Sequence, residues 1–129
     1  MISITLLKNN IKESKNENIV IRGVYCDVLY TLAIPVKRLE KAIRKYQPHN
    51  LSLKKIISYS DPTVYYRESN NSFIKERFWM RIFSSFISKD LSEMTSDELE
   101  CYMSLDGYEK CDSLKTFLKR KDDENGEKP

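Results

Sequence analysis

The chain has 129 residues, 40% of them hydrophobic and 32% charged, with a net charge of +3. That length suits one domain and that apolar content can fill one core, which excludes a chain disordered throughout. Three widely spaced cysteines and a single histidine argue against a disulfide framework or a zinc centre, and no apolar run is long enough for a bilayer span or forms a secretion signal.

The expectation is a cytoplasmic protein with reduced thiols, no metal, no cofactor and no membrane contact. Residues 1–121 read as one globular domain, and the acidic stretch 122–129 reads as a disordered tail. The small net charge hides an asymmetry: residues 1–90 hold 16 Lys and Arg against 8 Asp and Glu, whereas residues 91–129 hold 6 against 11. Segregation of this kind points to an anionic partner for the basic part, or to an acidic part that shields it.

In chain order, "SITLL" (Ser3–Leu7) and "NIVIR" (Asn18–Arg22) are short and β-branched, and read as two strands joined by a polar loop. Gly23 interrupts, and "VYCDVLYTLAI" reads as a third strand. Pro35 suits the first turn of a helix. From Val36 to Gln47 the period is helical: Val36, Leu39, Ala42, Ile43 and Tyr46 share one side, and Lys37, Arg38, Lys41, Arg44 and Lys45 the other. Pro48 ends that helix, and a shorter one over Leu51–Tyr59 follows with Ser52 as its N-cap. "SDPTVYYRESNNS" reads as a loop carrying Tyr65, Tyr66 and Arg67.

The stretch from Phe73 to Ile87 has apolar residues around most of a helical wheel, which predicts a central buried helix with Ile74, Phe78, Ile82 and Phe86 at the heart of the core. "TSDE" (Thr95–Glu98) is a capping box that opens a helix closed by Gly107, and Asp112 can cap a last short helix containing Leu114, Phe117 and Leu118. The predicted fold is α+β and predominantly helical: a small N-terminal antiparallel sheet of two or three strands packed by four or five helices.

No catalytic signature occurs, neither GxSxG, HExxH nor GxxxxGK[ST], and His49 in "QPHN" has no acid or nucleophile beside it. The chain reads as a non-enzyme. What stands out is Ile34–Ile57, where seven lysines and arginines accompany one acid, Glu40. A merely solvated helix face mixes both signs; this one is suited to a phosphate backbone, whose condensed counterions it would release. Lys37, Arg38, Lys41, Arg44 and Lys45 form the candidate nucleic-acid face, Lys54, Lys55 and Arg67 extend it, and Tyr65 and Tyr66 are candidates for stacking on bases.

The order strand, helix, turn, helix over Tyr30–Ile57 is similar to that of ribbon-helix-helix repressors, with "YTLAI" as ribbon, although Thr31 and Ala33 are poor base readers and Pro62 cuts the second helix short. The two helices joined through "PHNL" fit a helix-turn-helix equally loosely. The functional expectation is a small regulator that binds nucleic acid, with double-stranded DNA as the form expected, and a homodimer is compatible with it. The alternative is a protein-interaction module, an inhibitor, immunity or adaptor protein of a mobile element, that clamps an acidic partner.

Overall fold

A computed structural model of the chain describes residues 3–13, 16–25, 28–46, 52–67, 78–79, 82 and 85–126. The elements in order are α1 (Ile4–Glu13), β1 (Asn18–Tyr25), β2 (Val28–Pro35), α2 (Val36–Tyr46), α3 (Leu53–Ser60), β3 (Thr63–Arg67), β4 (Phe86–Ser88), α4 (Lys89–Ser92), α5 (Ser96–Leu105), β5 (Glu109–Cys111) and α6 (Leu114–Gly126). The five strands form one sheet in the order β4-β1-β2-β3-β5, every neighbouring pair antiparallel.

Alternation along the strands splits the core in two. Ile19 and Ile21 of β1, Tyr30, Leu32 and Ile34 of β2, and Val64 and Tyr66 of β3 face the larger cluster, which includes Leu7 of α1, Leu39 and Ile43 of α2, Ile56 and Ile57 of α3, and Leu114 and Phe117 of α6. Val20, Ala33 and Tyr65 face the other way, under Leu91 of α4, Leu99 and Met103 of α5, and Tyr108. Helices therefore cover both faces, and strands buried on both faces read as continuous apolar runs instead of alternating ones. The larger cluster closes around aromatic rings: Phe78 lies 5.1 Å from Tyr30 and 5.6 Å from Phe117, centroid to centroid, and Phe117 lies 5.0 Å from Tyr66.

This architecture corrects the predicted one. The sheet is neither small nor N-terminal, because the segments 63–67, 86–88 and 109–111 add three strands to the β1–β2 hairpin, and six helices occur among the described residues. Ser3–Leu7 is not a strand. Ile4, Leu7 and Ile11 stand at helical spacing on the side of α1 that packs on the core, and the Ser3 hydroxyl accepts the Leu6 N–H at 3.1 Å as an N-cap. Tyr65, Tyr66 and Arg67 lie in β3 and not in a loop. Phe78 and Ile82 are fully buried as expected, but Phe86 is 59% exposed on the edge strand β4. Ile74, like Cys26 and His49, lies outside the described residues.

Other local signals match their expected chemistry. Thr95 and Glu98 make both bonds of the capping box, and Gly107 takes the left-handed conformation with φ 80°. Ser113, not Asp112, caps α6, its hydroxyl accepting the Thr116 N–H at 3.3 Å. Helix α6 continues to Gly126, taking in residues 122–126 of the expected tail; residues 127–129 lie outside the described ones. No helix among the described residues is long and apolar enough to cross a membrane.

Candidate nucleic-acid interface

Helix α2 begins directly after β2, where the Val36 N–H donates to the Glu17 carbonyl at 2.9 Å. Leu39, Ala42 and Ile43 anchor it in the larger cluster. That fixes the opposite side outward: Lys37, Arg38, Lys41, Arg44 and Lys45 are all exposed. Helix α3 packs alongside, capped by the Ser52 hydroxyl, which accepts the Lys55 N–H. Its Ile56 and Ile57 point into the same cluster, leaving Lys54 and Lys55 exposed. Two aromatic contacts hold the helices in place. Tyr46 and Tyr59 meet edge to face at 6.1 Å, and the Lys45 ammonium lies 4.7 Å from the Tyr59 ring centre.

The electrostatics are one-sided. Among the described residues none of these seven cations pairs with a carboxylate; the ion pairs there join Lys110 to Glu100 and Asp112. Lys37, Lys41 and Lys45 repeat at i, i+4, i+8, and each such like-charge pair costs an isolated helix about 0.2–0.5 kcal/mol. Lys54 and Lys55 stand in the first turn of α3, at the positive end of its dipole. A folded helix pair that keeps this repulsion gains when an anion relieves it.

The groove between the two helices, about 480 Å³, is lined by Tyr46, Lys54, Lys55, Ser58, Tyr59 and by Lys115 of α6. Lys115 was not legible as a site residue, because it is separated from α3 by more than fifty positions. Asp61 brings it in. This residue closes α3 with a left-handed backbone (φ 44°), and its carboxylate accepts the Lys115 N–H at 3.0 Å and the Ser113 hydroxyl at 2.9 Å, docking the start of α6 beside α3. The Asp61 carbonyl accepts Arg38 Nη1 at 3.4 Å.

No family model, curated protein or solved structure matches the chain.

The remaining expected site residues do not join this surface. Tyr65 and Tyr66 are 5% and 4% exposed, on opposite faces of the sheet, and burial holds both phenols above their usual pKa. Each ring is packed in a core cluster, so neither presents a face on which a base can stack. Arg67 is exposed, but alternation along β3 sets it on the face of Tyr65, away from α2 and α3. The ribbon of a ribbon-helix-helix is likewise ruled out. Segment 30–34 runs through the middle of the sheet between β1 and β3, with Thr31 fully buried and Ala33 6% exposed.

Arg67 instead shares a ring with Arg22, which sequence reasoning missed: the two guanidinium carbons lie 5.5 Å and 5.9 Å from the centre of Tyr108. Their strands are not adjacent, and Tyr108 comes from the segment before β5, so only the sheet order brings the three together. No group of His, Cys, Asp and Glu that could hold a metal ion occurs among the described residues. Of the described cysteines, Cys101 is exposed and Cys111 buried, both as free thiols.

Proposed function

We propose that the protein is a non-enzymatic cytoplasmic regulator that binds the phosphate backbone of double-stranded DNA along α2, with Lys54 and Lys55 of α3 and Lys115 of α6 extending the contact. The observation that carries this reading is the row of exposed, carboxylate-free cations on two adjacent helices. Lys37 and Lys45 are about 12 Å apart along the helix axis, the length of three to four base-pair steps. Side chains of this kind position a protein on the duplex without reading its sequence. The acidic second part of the chain limits binding to arbitrary anions or recruits a partner protein.

The test is charge reversal on the exposed lysines of α2. The triple variant Lys37→Glu, Lys41→Glu, Lys45→Glu should keep the wild-type circular dichroism, melt slightly lower for the lost contact of Lys45 with Tyr59, and lose duplex binding. A folded triple variant that binds DNA as the wild type does would remove α2 from the interface. If the wild type ignores DNA but one acidic protein is captured and released by the same reversal, the surface is a protein clamp.

A further inference from the structure

The second face of the sheet is covered over only part of its area. Val20 and Ala33 lie under α4 and α5, but further along the strands Val24 is 59% exposed, and so is Phe86, whose strand pairs Phe86 with Arg22. Together with Leu29 and Tyr108 they line a hollow of about 120 Å³. Arg22 stands at its side, held by two hydrogen bonds, Nε to the Thr31 hydroxyl at 3.2 Å and Nη2 to the Tyr108 hydroxyl at 2.9 Å. Arg67 flanks the same tyrosine ring. Neither arginine has a carboxylate within ion-pair distance among the described residues.

The complement of this socket lies three residues before Tyr108. Helix α5 ends in Leu105, which is 90% exposed, followed by the exposed Asp106, and Tyr102 one turn earlier is 42% exposed. The helix carries Asp97, Glu98 and Glu100 and no lysine or arginine. Asp106 has no cationic partner among the described residues. One face thus holds an apolar hollow beside two unpaired arginines, and next to it an apolar knob beside an unpaired acid. Because knob and socket are neighbours, a single two-fold axis can satisfy both at once, which is the requirement for a closed, isologous contact.

The geometry points to a homodimer through this face, in which Leu105 of each copy enters the hollow between Val24 and Phe86 of the other and Asp106 meets the partner's pair of arginines. The contact leaves α2 and α3 open on the opposite face, so it stands or falls independently of DNA binding. Sedimentation equilibrium on the full chain tests it, with Leu105→Glu, Phe86→Asp and Arg67→Glu as variants. Leu105 and Phe86 are exposed, so at protein concentrations too dilute for dimer both variants should melt as the wild type does.

The wild type should dimerise and each variant should sediment as a monomer. An equimolar mixture of Leu105→Glu and Phe86→Asp should recover dimer, because such a heterodimer keeps one intact knob in one intact socket. A wild type that stays monomeric, with a dissociation constant weaker than about 1 mM, overturns the proposal. So does a Leu105→Glu protein that dimerises as the wild type does, or a mixture that associates no better than its components.

Discussion

Gly23 is the position where a single methyl group tests the packing most sharply. It faces Tyr30 across the β1–β2 ladder, and the tyrosine ring lies over it: a Cβ built at residue 23 would stand 2.9 Å from Cε1 of Tyr30 and closer still to Cζ and the hydroxyl. The ring cannot simply withdraw, being 1% exposed and packed 5.1 Å from Phe78. Gly23→Ala gains about 0.4–1 kcal/mol from a less flexible unfolded chain. Against this, overpacking costs about 1–3 kcal/mol, and disturbing the Tyr30–Phe78 pair removes part of an aromatic contact of about 0.5–1.5 kcal/mol.

The clash wins, and a net destabilisation of about 1–3 kcal/mol is expected. Urea melts should show a lower midpoint at unchanged slope. Combining it with Tyr30→Ala isolates the cause, since contacting residues couple by about 0.5–3 kcal/mol. In the Tyr30→Ala background the alanine at 23 should cost little or be favourable. A Gly23→Ala protein as stable as the wild type, or one that loses as much stability without the ring as with it, would mean that the Tyr30 ring does not limit the packing at residue 23.

Phe78→Ala should cost about 3–5 kcal/mol, since Phe78 joins Tyr30, Phe117 and Trp79, whereas Phe86→Ala on the exposed edge strand should stay within about 0.5 kcal/mol in the monomer; denaturant melts of the pair at concentrations too dilute for dimer check both. Asp61→Gly should lose the hydrogen bonds to Ser113 and Lys115 but keep the left-handed turn, and Asp61→Ala should melt lower still, by about 1–2 kcal/mol for its strained backbone. Thr95→Ala should cost about 1 kcal/mol as a lost cap. The backbone and side-chain hydrogen bonds from Thr95 and from Ser96 hold the Glu98 and Glu17 carboxyls, respectively, below their ordinary pKa. Their contribution is thus present above the unfolded value of 4.5 and lost as pH falls through the folded one. Thermal melts should fall on acidification, and less steeply in Glu98→Gln.

What the sequence disclosed follows from how local each cause is. The face of α2 was legible because a 3.6-residue period over eleven positions has no strand counterpart, and the Ser52 cap and the Thr95–Glu98 box are interactions within three residues. Ile4, Leu7 and Ile11 carried a helical signal too, outweighed by the β-branched run that contains the first of them. Strands β3, β4 and β5 were missed because their stability comes from partners distant in the chain. Thr63–Arg67 is a strand through β2 and β5, and Phe86–Ser88 pairs with β1 across more than sixty residues. The same distance hid Lys115 and the arginine pair on Tyr108, while the exposed lysines of α2 were visible from charge count alone.

In the function proposed above, α2, α3 and the start of α6 form one electrostatic footprint for nucleic acid. Fluorescence anisotropy of a labelled generic duplex, titrated at a series of salt concentrations, measures that footprint. With five to seven phosphate contacts, the logarithm of the binding constant should fall against the logarithm of salt with a slope of about −4.5 to −6, a loss of roughly 10³ between about 50 and 200 mM. No binding at the lowest salt, or binding that ignores salt, would remove this surface from nucleic-acid recognition.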